Sequence, residues 1–77
     1  MATYIIKYRG MELQRITAKS IRAAKIRTST YCSNDVKLYC LLCGIQLCNE
    51  YGDCISMYAP YFRQWFDISG VVSYADI

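Results

Sequence analysis

With 77 residues, 55% of them apolar, the chain is long enough for one domain and too apolar for a disordered tail. The net charge is +3 and there is no histidine. That removes the commonest general base and metal ligand, and with them any Ser–His or Cys–His nucleophile pair. Glu12, Asp35, Glu50, Asp53, Asp67 and Asp76 are scattered and form no catalytic motif. The expectation is a single domain over 1–77 that binds something and is not an enzyme. No apolar run approaches the roughly 18 residues that cross a bilayer. The start, Met1 to Lys7, lacks the features of a signal peptide. A cytoplasmic protein with no membrane contact is expected, and no cofactor is implied.

Residues 3–9 alternate Tyr4, Ile6 and Tyr8 with Ile5, Lys7 and Arg9, which predicts a strand. Gly10 supplies a turn, and Leu13 to Ala18 returns as the second strand of a hairpin. Ile16 and Ala18 face inward there. Leu13 is out of phase with them, the mark of a bulge or a register change. Ser20 is the helix N-cap, and the helix runs to about Thr30 with Ile21, Ala24 and Thr28 on one face. Asn34 and Asp35 mark its exit. Val36 to Leu42 reads as a further strand, Gly44 leads into Ile45 to Tyr51, and Gly52-Asp53 turns the chain into Cys54 to Ala59. After Pro60 a last strand covers Tyr61 to Ile68, with Phe62, Phe66 and Ile68 inward and Tyr61, Arg63 and Trp65 outward. Residues 69–77 form a loose tail or a short edge strand. The fold class is α+β, an antiparallel sheet of about five strands on a single α-helix, in the order ββαβββ.

Charge is unevenly placed. Residues 1–27 carry seven cations against Glu12 alone, whereas 28–77 carry two against five acids. Lys19, Arg22, Lys25 and Arg27 cluster along the helix, where cations near the N-terminus oppose the macrodipole. A one-signed cluster that costs stability reads as a surface for phosphates or carboxylates; the alternative is a solvated helix face. Lys7, Arg9 and Arg15 form a second basic group on the open side of the hairpin. Tyr61, Arg63 and Trp65 are the residue types most enriched in interface hot spots, with Trp65 as a core residue the competing reading. Cys40-Leu41-Leu42-Cys43-Gly44 is half of a zinc ribbon that Cys48 and Cys54 would have to complete. The spacing is irregular, so reduced thiols acting as small hydrophobes are the better reading and no metal is assigned.

Tyr4-Ile5-Ile6-Lys7, then Ile16-x-Ala18-x-Ser20 leading to Ala24-Lys25, then Trp65-Phe66-Asp67, resemble a small type I-F anti-CRISPR family. The resemblance covers residues 4–25 and 65–67. This chain is longer by an insertion around 48–62 and by its tail, and no contact residue is carried over. The resemblance implies a five-stranded antiparallel sheet wrapped around one helix. It also implies a phage-derived inhibitor, acting in the host cytoplasm, that binds protein subunits of a bacterial CRISPR surveillance complex and blocks target DNA recognition. A net basic chain argues against DNA mimicry. The alternative function is a small basic nucleic-acid-binding protein, and the two join if the inhibitor also makes non-specific DNA contact.

Overall fold

A computed structural model describes residues 1–67 of the chain. It contains β1 (Ala2–Tyr8), β2 (Met11–Ala18), α1 (Ile21–Ser33), β3 (Ile45–Asn49), β4 (Cys54–Ala59) and β5 (Gln64–Asp67). The strands form one antiparallel sheet in the order β2-β1-β3-β4-β5, so the α+β class and the ββαβββ order are as the sequence indicates. Ile68 and the expected tail over 69–77 lie outside the described residues.

Local chemistry builds the first hairpin. Tyr8 pairs with Met11 across the two-residue turn Arg9-Gly10, and both turn residues have positive φ, 52° and 79°. That is the type I′ geometry whose twist matches paired strands; glycine adopts it freely and arginine does not. The expected irregularity at Leu13 is a bulge. Ile6 faces Gln14 and Lys7 faces Glu12, leaving Leu13 as the extra residue, half-buried against the core.

Ser20 caps α1, its hydroxyl accepting from the Ala23 amide at 3.1 Å. Ala24, Thr28 and Cys32 recur every four residues and are buried. Small side chains on this stripe bring the helix close to the sheet, and the Thr28 hydroxyl is satisfied by donating to the Ala24 carbonyl at 2.8 Å. The helix continues to Ser33, one turn beyond the expected end. It lies mainly over β2 and β3. Tyr4, Ile6, Ile45, Leu47 and Tyr58 of the sheet's inner face form the core against it.

Two expected elements differ. Val36–Leu42 is a chain of turns, not a strand. The Asp35 carboxylate accepts from the Lys37 amide at 2.8 Å, and the Asp35 carbonyl accepts from the amides of Leu38 and Tyr39, both at 3.0 Å. This local bonding supplies the backbone with partners that a strand would otherwise provide, and it outweighs the β propensity of the side chains. Leu38 is buried in the core, whereas Val36 is 81% exposed.

The last strand begins at Gln64 and not at Tyr61, because Pro60 to Arg63 form a turn. The Arg63 amide donates to the Pro60 carbonyl at 3.2 Å, and Arg63 has φ 52°. Pairing then sets Trp65 opposite Tyr58, on the helix side. Expected sides are therefore exchanged: Trp65 is 8% exposed and in the core, whereas Phe62 is 60% exposed. β3 likewise ends at Asn49, before Tyr51, because the Asn49 side-chain oxygen accepts from the amides of Tyr51 and Asp53 at 2.9 and 3.0 Å.

Tyr58 is buried, stacks on Trp65 with ring centroids 4.6 Å apart, and shares a 2.9 Å hydroxyl hydrogen bond with Ser29 of α1. Tyr58→Phe keeps the stack and removes that bond, so it should lower stability by about 1 kcal/mol with an unchanged denaturant slope, read by urea unfolding. Arg9→Asn should raise the urea midpoint, by about 0.5–1 kcal/mol, because asparagine tolerates positive φ; a lowered midpoint would contradict the turn assignment.

Candidate binding groove

The helix covers the β2–β3 side of the sheet, so its other flank faces β5 across an open groove. Arg22, Lys25, Ile26, Ser29 and Thr30 line one stretch with Trp65 opposite, a recess of about 290 Å³. Ser33, Tyr39, Cys40, Pro60, Tyr61 and Arg63 line the next, about 250 Å³. Arg22, Ile26, Ser29 and Ser33 are spaced by three and four along α1, one stripe of the helix. Arg63, in the turn just before β5, and Trp65 on β5 form the other bank.

The two ends differ in chemistry. At the first, α1 has no acid in its first turn, and exposed Lys19 and Arg22 stand there instead. The half-buried Lys25 ammonium lies 5.5 Å from the Trp65 ring centroid, a cation–π contact on one side of a ring that Tyr58 covers on another. The cations suit carboxylate or phosphate oxygens, while the Thr30 hydroxyl donates to the Ile26 carbonyl at 3.1 Å and the Ser29 hydroxyl bonds Tyr58. The second end mixes aromatic and polar groups, with Tyr39 and Tyr61 beside Ser33 and Arg63. Tyr61 and Phe62 meet edge to face with centroids 5.0 Å apart, and both are exposed, as are Tyr39 and Leu42. The Tyr61 amide donates to the Leu41 carbonyl at 2.9 Å, fastening the β4–β5 turn to the chain of turns after α1. A hydrogen bond with the Cys40 side chain holds the Tyr39 phenol above its ordinary value. An exposed group of this size and aromatic content is the usual mark of a contact surface.

Of the residues expected to bind, Arg22, Lys25, Tyr61, Arg63 and Trp65 meet at this groove, Trp65 as a buried wall and not an exposed side chain. Lys19, just before the cap of α1, and Arg27 on the helix are exposed outside it. The hairpin trio does not make a free basic patch. Arg15 is held by Glu12 at 2.8 and 3.1 Å, and that hydrogen bonding lowers the Glu12 pKa while raising that of Arg15. Arg9 sits in the turn with its guanidinium 5.7 Å from the Tyr8 ring. Lys7 is half-buried on the sheet face away from the helix, close enough to influence both Glu12 and Cys54. Ser29, Thr30 and Tyr39 were not expected in a site. The helical spacing from Arg22 and Ile26 carried a signal for Ser29; Tyr39 had none while its segment read as a strand.

Cys40 and Cys43 are exposed on the turns after α1, and Cys48 and Cys54 lie on the sheet. Among the described residues no three Cys, Asp or Glu side chains come together as a metal site. No described helix is long and apolar enough to cross a membrane. Comparison with protein-family models, curated proteins and solved structures gave no match.

The groove rests on Trp65, the only tryptophan in the chain. Its fluorescence should be blue-shifted in the native protein and move to the red on unfolding; a native spectrum like that of free tryptophan would place it in solvent instead. Burial raises the thiols of Cys32 and Cys54 from 9.0 to about 11. Both hold their protons more tightly folded than unfolded, so their contribution is full below pH 9.0 and is lost as pH rises toward about 11. The urea midpoint should fall over that window, and Cys54→Ser should flatten the fall.

Proposed function

We propose that the chain is a non-catalytic binding protein that inhibits a bacterial CRISPR surveillance complex by seating the α1–β5 groove against the complex's protein subunits. The observation that carries a binding role is the groove itself: Arg22 and Lys25 at one end, and Tyr39, Tyr61 and Arg63 at the other, with exposed Phe62 beside Tyr61. Neither recess is enclosed, which suits a protein surface better than a small buried substrate. The complementary partner carries carboxylates opposite Arg22, Lys25 and Arg63, and apolar side chains opposite the aromatic end. The identity of the partner rests on the resemblance of residues 4–25 and 65–67 to the type I-F anti-CRISPR family. Occupying such a subunit would keep target DNA from pairing with the guide.

A second reading, nucleic-acid binding, is favoured by the Arg22 and Lys25 end, whose cations suit a phosphate backbone. It predicts affinity for duplex DNA that falls steeply with salt, whereas the protein-contact reading predicts binding to the complex when DNA is absent.

Arg22→Glu separates binding from stability. It places a carboxylate in the first turn of α1, so it should stabilise the fold by about 0.3–1 kcal/mol while weakening the partner contact about tenfold or more. Tyr61→Ala combined with Phe62→Ala should weaken the contact similarly with little change in melting temperature. Arg15→Glu, outside the groove, should leave it unchanged. Immobilised protein against purified DNA-free surveillance complexes measures the contact, and plaque formation by targeted phage measures inhibition. Absence of both with the folded wild-type chain overturns the proposal.

A further inference from the structure

The sheet face away from the helix carries a second chemistry, unconnected with the groove. In antiparallel pairing, directly opposed residues project on the same face. Ile5 opposes Cys48, and Cys48 opposes Cys54, so a buried isoleucine and two free thiols lie in one row across β1, β3 and β4. A bulge at Ile55 separates this pair from the next, Leu47 and Ser56. Opposed residues have Cα atoms about 4.5–5.5 Å apart, within the range a disulfide spans without moving the backbone. The turn below the pair is held by its own bonds: the Asn49 amide to the Asp53 carbonyl at 2.9 Å, and the Gly52 amide to the Asn49 carbonyl at 3.0 Å.

We propose that Cys48 and Cys54 form a redox-active dithiol that closes to an intramolecular disulfide on reaction with a small disulfide oxidant such as oxidised glutathione. Cys48 is 1% exposed and Cys54 is half-buried, so their roles differ. The Cys54 thiolate attacks one sulfur of the oxidant, forming a mixed disulfide and releasing one glutathione thiolate. The Cys48 thiolate then attacks the Cys54 sulfur, breaking the mixed disulfide and releasing the second glutathione. Two protein thiols are oxidised, one oxidant disulfide is reduced, and the two thiol protons end on the two glutathiones. Cys48 needs no access to solvent for its step, because its electrophile is delivered by its strand partner. The Cys54 thiol donates to the Ser56 carbonyl at 3.6 Å; burial first and the neighbouring Cys48 second hold it protonated, and the Lys7 ammonium acts more weakly in the opposite direction.

Cys32 lies on the buried stripe of α1, on the other side of the sheet. Cys40 and Cys43 are exposed, and the Cys43 sulfur contacts the Met57 sulfur at 3.4 Å. They are the competing sites that a reactivity governed by exposure alone would favour.

The test is a titration of the reduced full chain with oxidised against reduced glutathione, quenched by alkylation and read by peptide mass mapping. The expected result is a linked pair of peptides carrying Cys48 and Cys54, formed at a glutathione ratio at least tenfold more reducing than that which modifies Cys40 or Cys43. Lys7→Met should slow its formation several-fold near neutral pH with the same end product. Cys54→Ser should abolish the link and leave Cys48 refractory to the oxidant. Should Cys54→Ser fail to fold, the Cys40→Ser, Cys43→Ser double variant, which keeps the strand pair, should still lose two thiols per chain. Modification of Cys40 and Cys43 while Cys48 and Cys54 stay fully alkylatable overturns the proposal, as does a double variant that loses no thiols.

Discussion

The side chain of Tyr58 joins two halves of the molecule that would otherwise be weakly coupled. The helix rests mainly on β2 and β3, while β4 and β5 extend the sheet beyond it. Tyr58 is buried on β4, with its hydroxyl on Ser29 of α1 and its ring against Trp65 of β5. A buried phenol without a partner is costly, so its placement fixes the helix at a defined distance from that side of the sheet. That distance is the width of the groove. Ser29 and Trp65 are thereby wall and core at once, and the groove depends on the same contacts as the fold.

How much of this was legible in the sequence follows from the range of the signals. The first hairpin, the Leu13 bulge, the Ser20 cap and β4 were all visible, because each is dictated within a few residues by alternation, a turn glycine or a capping hydroxyl. The segment after α1 was misread as a strand because its side chains favour one, while the competing Asp35 turn works through backbone amides whose geometry is not apparent in composition. The side taken by Trp65, for which core and interface readings both stood, is decided at longer reach. Alternation from Tyr61 gives the opposite phase to pairing from Tyr58, and only the Pro60–Arg63 turn decides between them. The misplaced strand start put Trp65 and Phe62 on the wrong sides, while Tyr61 and Arg63 are exposed as expected. For the site, the helical half was legible from spacing, and the opposite bank was not, because it depends on that register.

The cations of the amino-terminal region have separate fates that a net charge conceals. Arg15 is matched by Glu12 three residues away on the same strand, an exposed pair that salt screens and that contributes little to folding. Lys7 is drawn onto the sheet's outer face. Lys19 and Arg22 remain unmatched by any acid in the first turn of α1, against the sign the helix dipole favours. Lys25 is stabilised locally by the Trp65 ring. Of the unfavourable charges, Arg22 borders the groove, where an anionic partner would reverse its sign of contribution.

The same economy bears on how such a surface is dissected. In a chain this short, roughly 60% of the unfolded surface is buried on folding, and no separate layer of residues supports a site. Removing Trp65 would take away a groove wall, a stacking partner of Tyr58 and a perch for Lys25 together, so loss of binding on its removal would not distinguish contact from collapse. Tyr61 and Phe62 stand outside the core on a turn whose backbone bonds do not involve their side chains. Arg22 lies at a helix end where reversal of charge favours the fold. These positions separate binding from stability because the effects run independently or in opposite directions, and they are available only because the β4–β5 turn places Trp65 inward and its neighbours outward.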